Sequence, residues 1–243
     1  MEAGGARIEP GRVIGEAFET YRENAAPLLG AAVVVLGVAG IVSGLLVTGQ
    51  NVVLNLLASL VTLVAQALFT GFVVRLVEDV RDGRRDHTVG DLFSAAAPAV
   101  PTLILAAIVY AIGVVIGLIL LIVPGLILIT IWAVFAPAIV VERTGPIESL
   151  GRSRQLVRGD GWAVFGTIVI AFIILVVFSF VMVAIGSGIA GDTGQVIFNT
   201  VASILAAPVI ALVASILYFD LGGAATAAAP TAEPPPAGPP PAV

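Results

Sequence analysis

Charge-free apolar runs recur along the chain, at about residues 27–49, 52–74, 99–121, 124–141, 161–186 and 195–218. Each approaches the ~20 residues that a helix needs to cross a hydrocarbon core of ~30 Å, so the pattern predicts six membrane helices. The shortest run, taken from Leu126 to Val141, reaches only ~24 Å at ~1.5 Å per residue. It also contains Pro137, which predicts either a kink or a start below the membrane surface. Ile122-Val-Pro-Gly125 is the one break in the uncharged stretch 99–141. Pro-Gly is strong turn chemistry, so a tight helical hairpin is predicted to close there.

A shorter segment of mixed polarity precedes each pair of runs. Over Arg12–Asn24, Val13, Ile14, Ala17, Phe18 and Tyr21 share one helical face, with Glu16, Glu19, Arg22 and Glu23 opposite. Thr88–Ala97 opens on a Thr88 or Asp91 N-cap and presents Val89, Leu92 and Phe93. Pro146–Arg158 is the third such segment. Helices of this kind lie in the headgroup layer. The fold class that follows is all-α, a polytopic membrane helical bundle with six transmembrane helices in three hairpins, each preceded by a short interfacial amphipathic helix. The three units, of roughly 65–70 residues each, suggest parallel repeats. The domain reading is an N-terminal cytoplasmic segment (1–11), the six-helix membrane domain (12–222) and a disordered Ala/Pro-rich cytoplasmic tail (223–243) ending AEPPPAGPPPAV.

Composition fixes the solvent in which this chain folds. Of 243 residues, 59% are hydrophobic and 11% charged, and the mean hydropathy is +1.12; an average soluble domain is roughly 25% charged. With no cysteine, disulfides and thiolate chemistry are excluded. A net charge of -5 argues against nucleic acid as a partner. Residues 1–26 are polar and mixed in charge, unlike a cleavable leader.

The eleven basic residues are all arginine. Arg7, Arg12 and Arg22 precede the first run; Arg75, Arg81, Arg84 and Arg85 end the second; Arg143, Arg152, Arg154 and Arg158 separate the fourth from the fifth. The alternate connectors, near Gly49–Asn51, Val123–Gly125 and Gly186–Gly194, carry none. By the positive-inside rule both termini are expected in the cytoplasm, the protein being multi-pass in the cell (plasma) membrane.

Candidate chemistry is sparse. Ionisable residues deep in a span are the usual sign of an ion pathway, and here the charged groups all sit near span ends. Asn55, Ser59, Thr62 and Gln66 recur at spacings of three or four, forming a polar stripe on the second span. Such a stripe reads either as interhelical hydrogen bonding, at ~0.6 kcal/mol per contact, or as the lining of a path for a small polar solute or headgroup. His87 stands alone, and Asp79, Asp82, Asp86 and Asp91 follow no calcium-loop spacing. No phosphate loop, GxSxG or HExxH occurs. No catalytic, metal-binding or cofactor-binding residue is therefore assigned, and no cofactor is expected.

The stretch ESLGRSRQLVRGD, residues 148–160, is the exception. On a wheel of ~100° per residue, Leu150, Val157, Arg154 and Arg158 fall within about 80° of Ile147, whereas Arg152 falls about 140° away. Three readings stand open. The stems of Arg154 and Arg158 snorkel along apolar surface, or their guanidiniums pair with bundle acids among Glu78, Glu142, Asp160 and Asp220, or Arg152, Arg154 and Arg158 form a binding site for a phosphate-bearing headgroup or a partner.

Pro124-Gly125, Trp132, Pro137, Glu142, Gly145-Pro146, Arg152-Ser153, Leu156 and Gly159, with Tyr218, Asp220 and Leu221 in the last span, resemble the recurrent pattern of the glycerophosphoryl diester phosphodiesterase membrane domain family and its YciC-like relatives. The likeness covers nearly all of 8–222 and lapses at Gly222-Gly223, where relatives often continue with basic residues. In some relatives this membrane unit precedes a soluble phosphodiesterase domain, which this sequence lacks. The resemblance implies a membrane module that presents a partner or engages lipid, not a catalyst. The expected function is accordingly a non-catalytic membrane module binding membrane lipids, anionic headgroups foremost, or a membrane or cytoplasmic protein partner. The alternatives are a small transporter or channel for a polar solute or lipid, and a lipid-modifying enzyme built on Glu142, Asp160, Asp220 and His87.

Overall fold

A computed structural model describes residues 8–46, 51–83 and 87–222, with all their side chains except those of 190–197. Arg7, Gly49-Gln50, Arg84, Arg85, Asp86 and the Ala/Pro-rich tail of 223–243 lie outside the described residues. The described chain is helical almost throughout. Helix α1 (Pro10–Glu23) starts on Pro10, whose missing N–H costs nothing in a first turn. The first span is α2 (Ala25–Ala32), a π turn (Val33–Gly37) and α3 (Val38–Leu46). The second is α4 (Val52–Arg81), N-capped by Asn51, whose carbonyl oxygen accepts from the Val53 and Leu54 amides at 3.0 and 3.2 Å.

Helix α5 (Val89–Ala96) begins at Thr88. Thr88 Oγ1 accepts from the Asp91 amide at 3.3 Å, and Asp91 returns a carboxylate oxygen to the Thr88 amide at 2.9 Å, a reciprocal cap that satisfies two otherwise orphaned donors. A 3-10 turn (Ala97–Ala99) leads directly into α6 (Val100–Leu120). Helices α7 (Ile122–Ile131) and α8 (Phe135–Glu142) make up the fourth span, α9 (Pro146–Val157) lies across its end, and α10 (Gly161–Asp220) carries the last two. Among the described residues six helical stretches are long and apolar enough to cross a membrane, and the fold is an all-α, multi-pass membrane bundle.

The second hairpin turns three residues earlier than its Pro-Gly pair predicts. Leu121 alone is extended (φ −164°, ψ 142°) between α6 and α7, and Pro124 and Gly125 sit inside the first turn of α7. Pro124 is harmless there because the first amides of a helix have no intrahelical acceptor. Gly125 serves close packing instead of turning. A Cβ on it would stand 2.5 Å from Leu118 Cγ and 2.9 Å from the Leu118 amide nitrogen, and one on Gly117 would lie 3.0 Å from Gly125 Cα. The fourth span does break, at Trp132–Val134. Pro137 lies four residues beyond Ala133, and its ring and missing N–H forbid the hydrogen bond that would carry α7 into α8.

Helix α10 runs from Gly161 to Asp220, yet both of its ends reach α1. A Cβ on Gly166 would stand 3.5 Å from the Pro10 ring, while Asp220 pairs with Arg12 two residues away at 2.7 Å. On a straight helix Gly166 and Asp220 would be ~80 Å apart. The two arms, Gly161–Ile189 and Phe198–Asp220, therefore lie side by side as the third hairpin.

Packing follows the logic of lipid as a solvent. Ala31, Ala32, Ala58, Ala96, Ala106, Ala138 and Ala202 are buried, whereas Leu45, Ile119, Leu120, Phe180 and Ile189 are largely exposed. Hydrocarbon is as apolar as leucine, so small residues go inside, where they let helices approach, and large ones face outward. Core large residues concentrate at one end, around Phe69, Phe72, Leu212, Ile216 and Tyr218. Against that end α1 lays Val13, Ile14 and Ala17, so the predicted interfacial helix uses its apolar face to cover the bundle.

Candidate functional site

The interrupted fourth span leaves backbone groups without helical partners, and α9 supplies what they lack. Ser153, fully buried on α9, accepts a hydrogen bond from the Val134 amide at 3.1 Å and donates its own to the Ile131 carbonyl at 2.9 Å. One hydroxyl thus bridges the donor and the acceptor freed by the break. The inward face of α9 is Ser149, Leu150, Ser153 and Val157, while Ile147 is 70% exposed. The wheel centred on Ile147 therefore misplaces the buried side. Arg154 and Arg158 lie with Ile147 on the exposed side, and the flanking Arg152 is the one that turns to the bundle.

Arg152 Nε donates to both Glu142 oxygens, at 3.0 and 2.8 Å, and Tyr218 Oη donates to Glu142 Oε1 at 2.8 Å. Glu142 and Arg152 are 12% and 17% exposed, so the pair is mostly withdrawn from solvent. Of the residues expected at a headgroup site, Arg152 is thus committed to an acid, tying α9, α8 and the last span together. The other expected acids divide. Glu78 takes Arg75 Nη1 at 2.6 Å, Asp220 joins a second cluster, and Asp160 makes no ion pair among the described residues.

That second cluster joins the first helix to the last span. Arg12 meets Glu16 at 3.1 Å and Asp220 at 2.7 Å; Arg81 meets the same two acids at 2.5 and 2.9 Å and lies over the Phe219 ring, 5.5 Å from its centroid. The Asp220 carboxylate pushes the Arg12 guanidinium above its already high ordinary value. Nearby, Tyr21 donates its hydroxyl to the Leu205 carbonyl at 3.2 Å, and its burial raises the phenol. His87 Nδ1 lies 2.6 Å from Asp79 on an exposed edge. Among the described residues no three His, Cys, Asp or Glu side chains converge as metal ligands.

Arg154 and Arg158 are left with no acidic partner among the described residues. They line a groove of about 970 Å³ between α7, α9 and the first arm of α10. Its walls are Val123, Leu126, Ile127, Ile131 and Phe165, with Trp162 at the same end as the arginines. Trp162 is 87% exposed, the position of an indole at a membrane–water boundary. One end of the groove is cationic and the rest is mostly apolar, with Thr130 and Gln155 the other polar side chains of its lining.

The polar stripe of α4 turns away from the interior. Asn55, Ser59, Thr62 and Gln66 are exposed. Ser59 donates to the Asn55 carbonyl and Thr62 to that of Ala58, both at 3.0 Å, and Ser43 of α3 sits 3.0 Å from Thr62. These hydroxyls are satisfied along their own helix, with one link to a neighbour.

The model of a domain of unknown function, DUF7847, matches residues 87–233, more than half of the chain. The chain belongs to that family. No curated protein and no solved structure matches it. The DUF7847 match takes in α5 to α10, so the Ser153 bridge, the Glu142 pair and the whole groove fall inside it. Arg12 and Arg81, which clasp Asp220, come from helices that precede it.

Proposed function

We propose that this DUF7847 protein is a non-catalytic membrane module that holds an anionic glycerophospholipid in the groove between α7, α9 and α10. The observation that carries the reading is the pair of guanidiniums, Arg154 and Arg158, without acidic partners among the described residues, at one end of a mostly apolar groove of about 970 Å³. A guanidinium binds phosphate through two parallel donors, and Leu126, Ile127 and Phe165 offer acyl chains a surface as apolar as the bilayer. The eleven arginines favour placing this end in the cytoplasm and the protein in the cell membrane. The likeness to the glycerophosphoryl diester phosphodiesterase membrane domain family accords with a lipid-engaging unit. A transport path draws on polar groups facing the interior, and those of α4 face outward.

The test is lipid retention by the purified full chain in nanodiscs of phosphatidylcholine and phosphatidylglycerol, read by native mass spectrometry. Replacing Arg154 and Arg158 by Gln is expected to lower retained phosphatidylglycerol about tenfold or more, the loss of two charge-assisted contacts. Arg22→Gln, on the exposed side of α1, serves as the control for surface charge and leaves retention unchanged. Identical lipid profiles in all three proteins would exclude the groove as a headgroup site.

A further inference from the structure

The polar stripe of α4 faces hydrocarbon, and two of its members find no partner there. Ser59 and Thr62 direct their hydroxyls to carbonyls one turn back. The carboxamides of Asn55 and Gln66 make no hydrogen bond among the described residues, and both residues are exposed. Gln66 lies nine residues before Arg75, ~13 Å along a helix. A hydrocarbon core of ~30 Å that begins at the level of Arg75 therefore has Gln66 near its middle, beyond the reach of water, and Asn55 at its far edge. An amide left unpaired in that medium is costly, so its place on an outward face points to a protein partner.

The neighbouring helix shares that face. Ser43 Oγ of α3 lies 3.0 Å from both Thr62 Oγ1 and the Ala58 carbonyl oxygen, which fixes how the two helices meet. On a wheel of ~100° per residue, the buried Ala58 and Ala65 fall to one side of Thr62, and Asn55, Ser59 and Gln66 to the other. On α3 the buried Ala39 falls to one side of Ser43, and the exposed Gly40 and Gly44 to the other. The helices are antiparallel, so their wheels turn in opposite senses and the two outward sides form one surface. A Cβ on Gly40 or Gly44 would meet nothing within 4 Å, so packing within the chain does not require either glycine. Small residues beside polar ones let a second helix approach closely enough for side-chain hydrogen bonds.

We infer that this face of the first hairpin joins two copies of the chain, the Gln66 carboxamide of each donating to the carboxamide oxygen of the other. Self-complementarity selects a second copy as the partner. Two copies inserted in one orientation are related by an axis along the membrane normal, so a residue beside the axis meets its own counterpart at the same depth. A carboxamide carries donors and an acceptor together, and can satisfy its own kind reciprocally. Asn55 repeats the pairing at the edge of the core, and Ser59, Thr62, Gly40 and Gly44 are small enough to let the hairpins close. The lipid groove lies on α7, α9 and α10, and the two surfaces are separate.

The test uses the absence of cysteine from the chain. Ser59→Cys sets a thiol on the stripe; Leu57→Cys sets one at nearly the same depth about 160° round α4, where Leu57 is also exposed. Each full-length variant is given a benzophenone photocrosslinker on that thiol in membranes of the expressing cell. The Ser59→Cys protein is expected to yield an adduct with the mass of two copies, and the Leu57→Cys protein to yield none. An adduct with a different protein, adducts with lipid alone, or equal dimer yields from both positions would each overturn the inference. Affinity is read in phosphatidylcholine liposomes by energy transfer between copies labelled at Ala242→Cys, across a range of lipid-to-protein ratios. Gln66→Leu, which suits a lipid-facing position and leaves the fold intact, is expected to weaken association about tenfold or more, the loss of two reciprocal hydrogen bonds. Gln66→Asn keeps the carboxamide and stays within about threefold of the parent. A monomer at every ratio, or an association constant unmoved by Gln66→Leu, overturns the inference as well.

Discussion

Replacing Ser153 with Ala removes one oxygen and strands two backbone groups. The Val134 amide lies at a fully buried residue and the Ile131 carbonyl at a half-buried one. Neither regains a partner locally, because Pro137 keeps α7 from running on into α8. If the groups find substitutes as freely as membrane hydrogen bonds do on average, the loss is near ~0.6 kcal/mol per contact, or about 1.2 kcal/mol in all. If they stay orphaned, each costs about 1–3 kcal/mol and the total is about 2–6 kcal/mol. Burial at Val134 favours the upper range. The assay is reversible unfolding in mixed micelles, with Ser149→Ala as the control. Ser149 is equally buried but only donates to the Pro146 carbonyl in its own turn, at 2.8 Å, so its loss is expected to stay within about 1 kcal/mol. The cause of the break is tested by a double-mutant cycle with Pro137→Ala, which lets the helix close over the gap. Ser153→Ala then costs at least about 1 kcal/mol less than in the parent, a coupling between neighbours of ordinary size. Equal costs in the two backgrounds would refute the proline as the origin of the break; a loss below about 0.5 kcal/mol in the parent would refute the bridge itself.

Glu142→Ala leaves the Arg152 guanidinium largely withdrawn from solvent without its acid, and is expected to destabilise by about 3 kcal/mol. Tyr218→Phe costs about 1 kcal/mol, and the double variant less than the two effects together, since both contacts end on one carboxylate; unfolding midpoints check this. Gly125→Ala forces a Cβ into Leu118 and is expected to cost about 1–3 kcal/mol, whereas Gly15→Ala, with open space around it, gains about 0.5–1 kcal/mol in the same assay. Asp220→Asn takes one charge from both Arg12 and Arg81 and is expected to speed limited proteolysis within α1; unchanged cleavage there would show that Val13, Ile14 and Ala17 alone retain the helix. Arg12 contributes at every pH below its raised value and is lost only as pH climbs through it, so the Arg12–Asp220 contact gives no alkaline transition near neutrality.

The spans and the three amphipathic helices were legible because lipid imposes length and uniform apolarity, and these survive any arrangement of the bundle. What the sequence hid lies where two rules compete. Pro124-Gly125 reads as a turn by local chemistry, but Gly125 answers to Leu118 across the hairpin, a contact no local pattern encodes. On α9 the apolar Ile147 drew the wheel toward itself, as it would in water. In a membrane bundle the interior has no special claim on isoleucine, and hydroxyls with backbone work to do took the place: Ser149 and Ser153 face in. The same wheel assigns the bundle acids to Arg154 or Arg158, whereas Glu142 pairs with Arg152, the arginine it sets on the far side.

The clasp of Arg12 on Asp220 joins residues 208 positions apart, and that separation sets an order of events during synthesis. At roughly 5–20 residues per second, α1 leaves the ribosome about 10–40 s before its partner carboxylate exists. For that interval Val13, Ile14 and Ala17 have no bundle to cover, and the headgroup layer is the surface open to them. Completion of the sixth span is what draws α1 onto the bundle. A chain stalled before Asp220 exposes an undocked apolar helix, a visible mark by which a protease could tell unfinished molecules from finished ones.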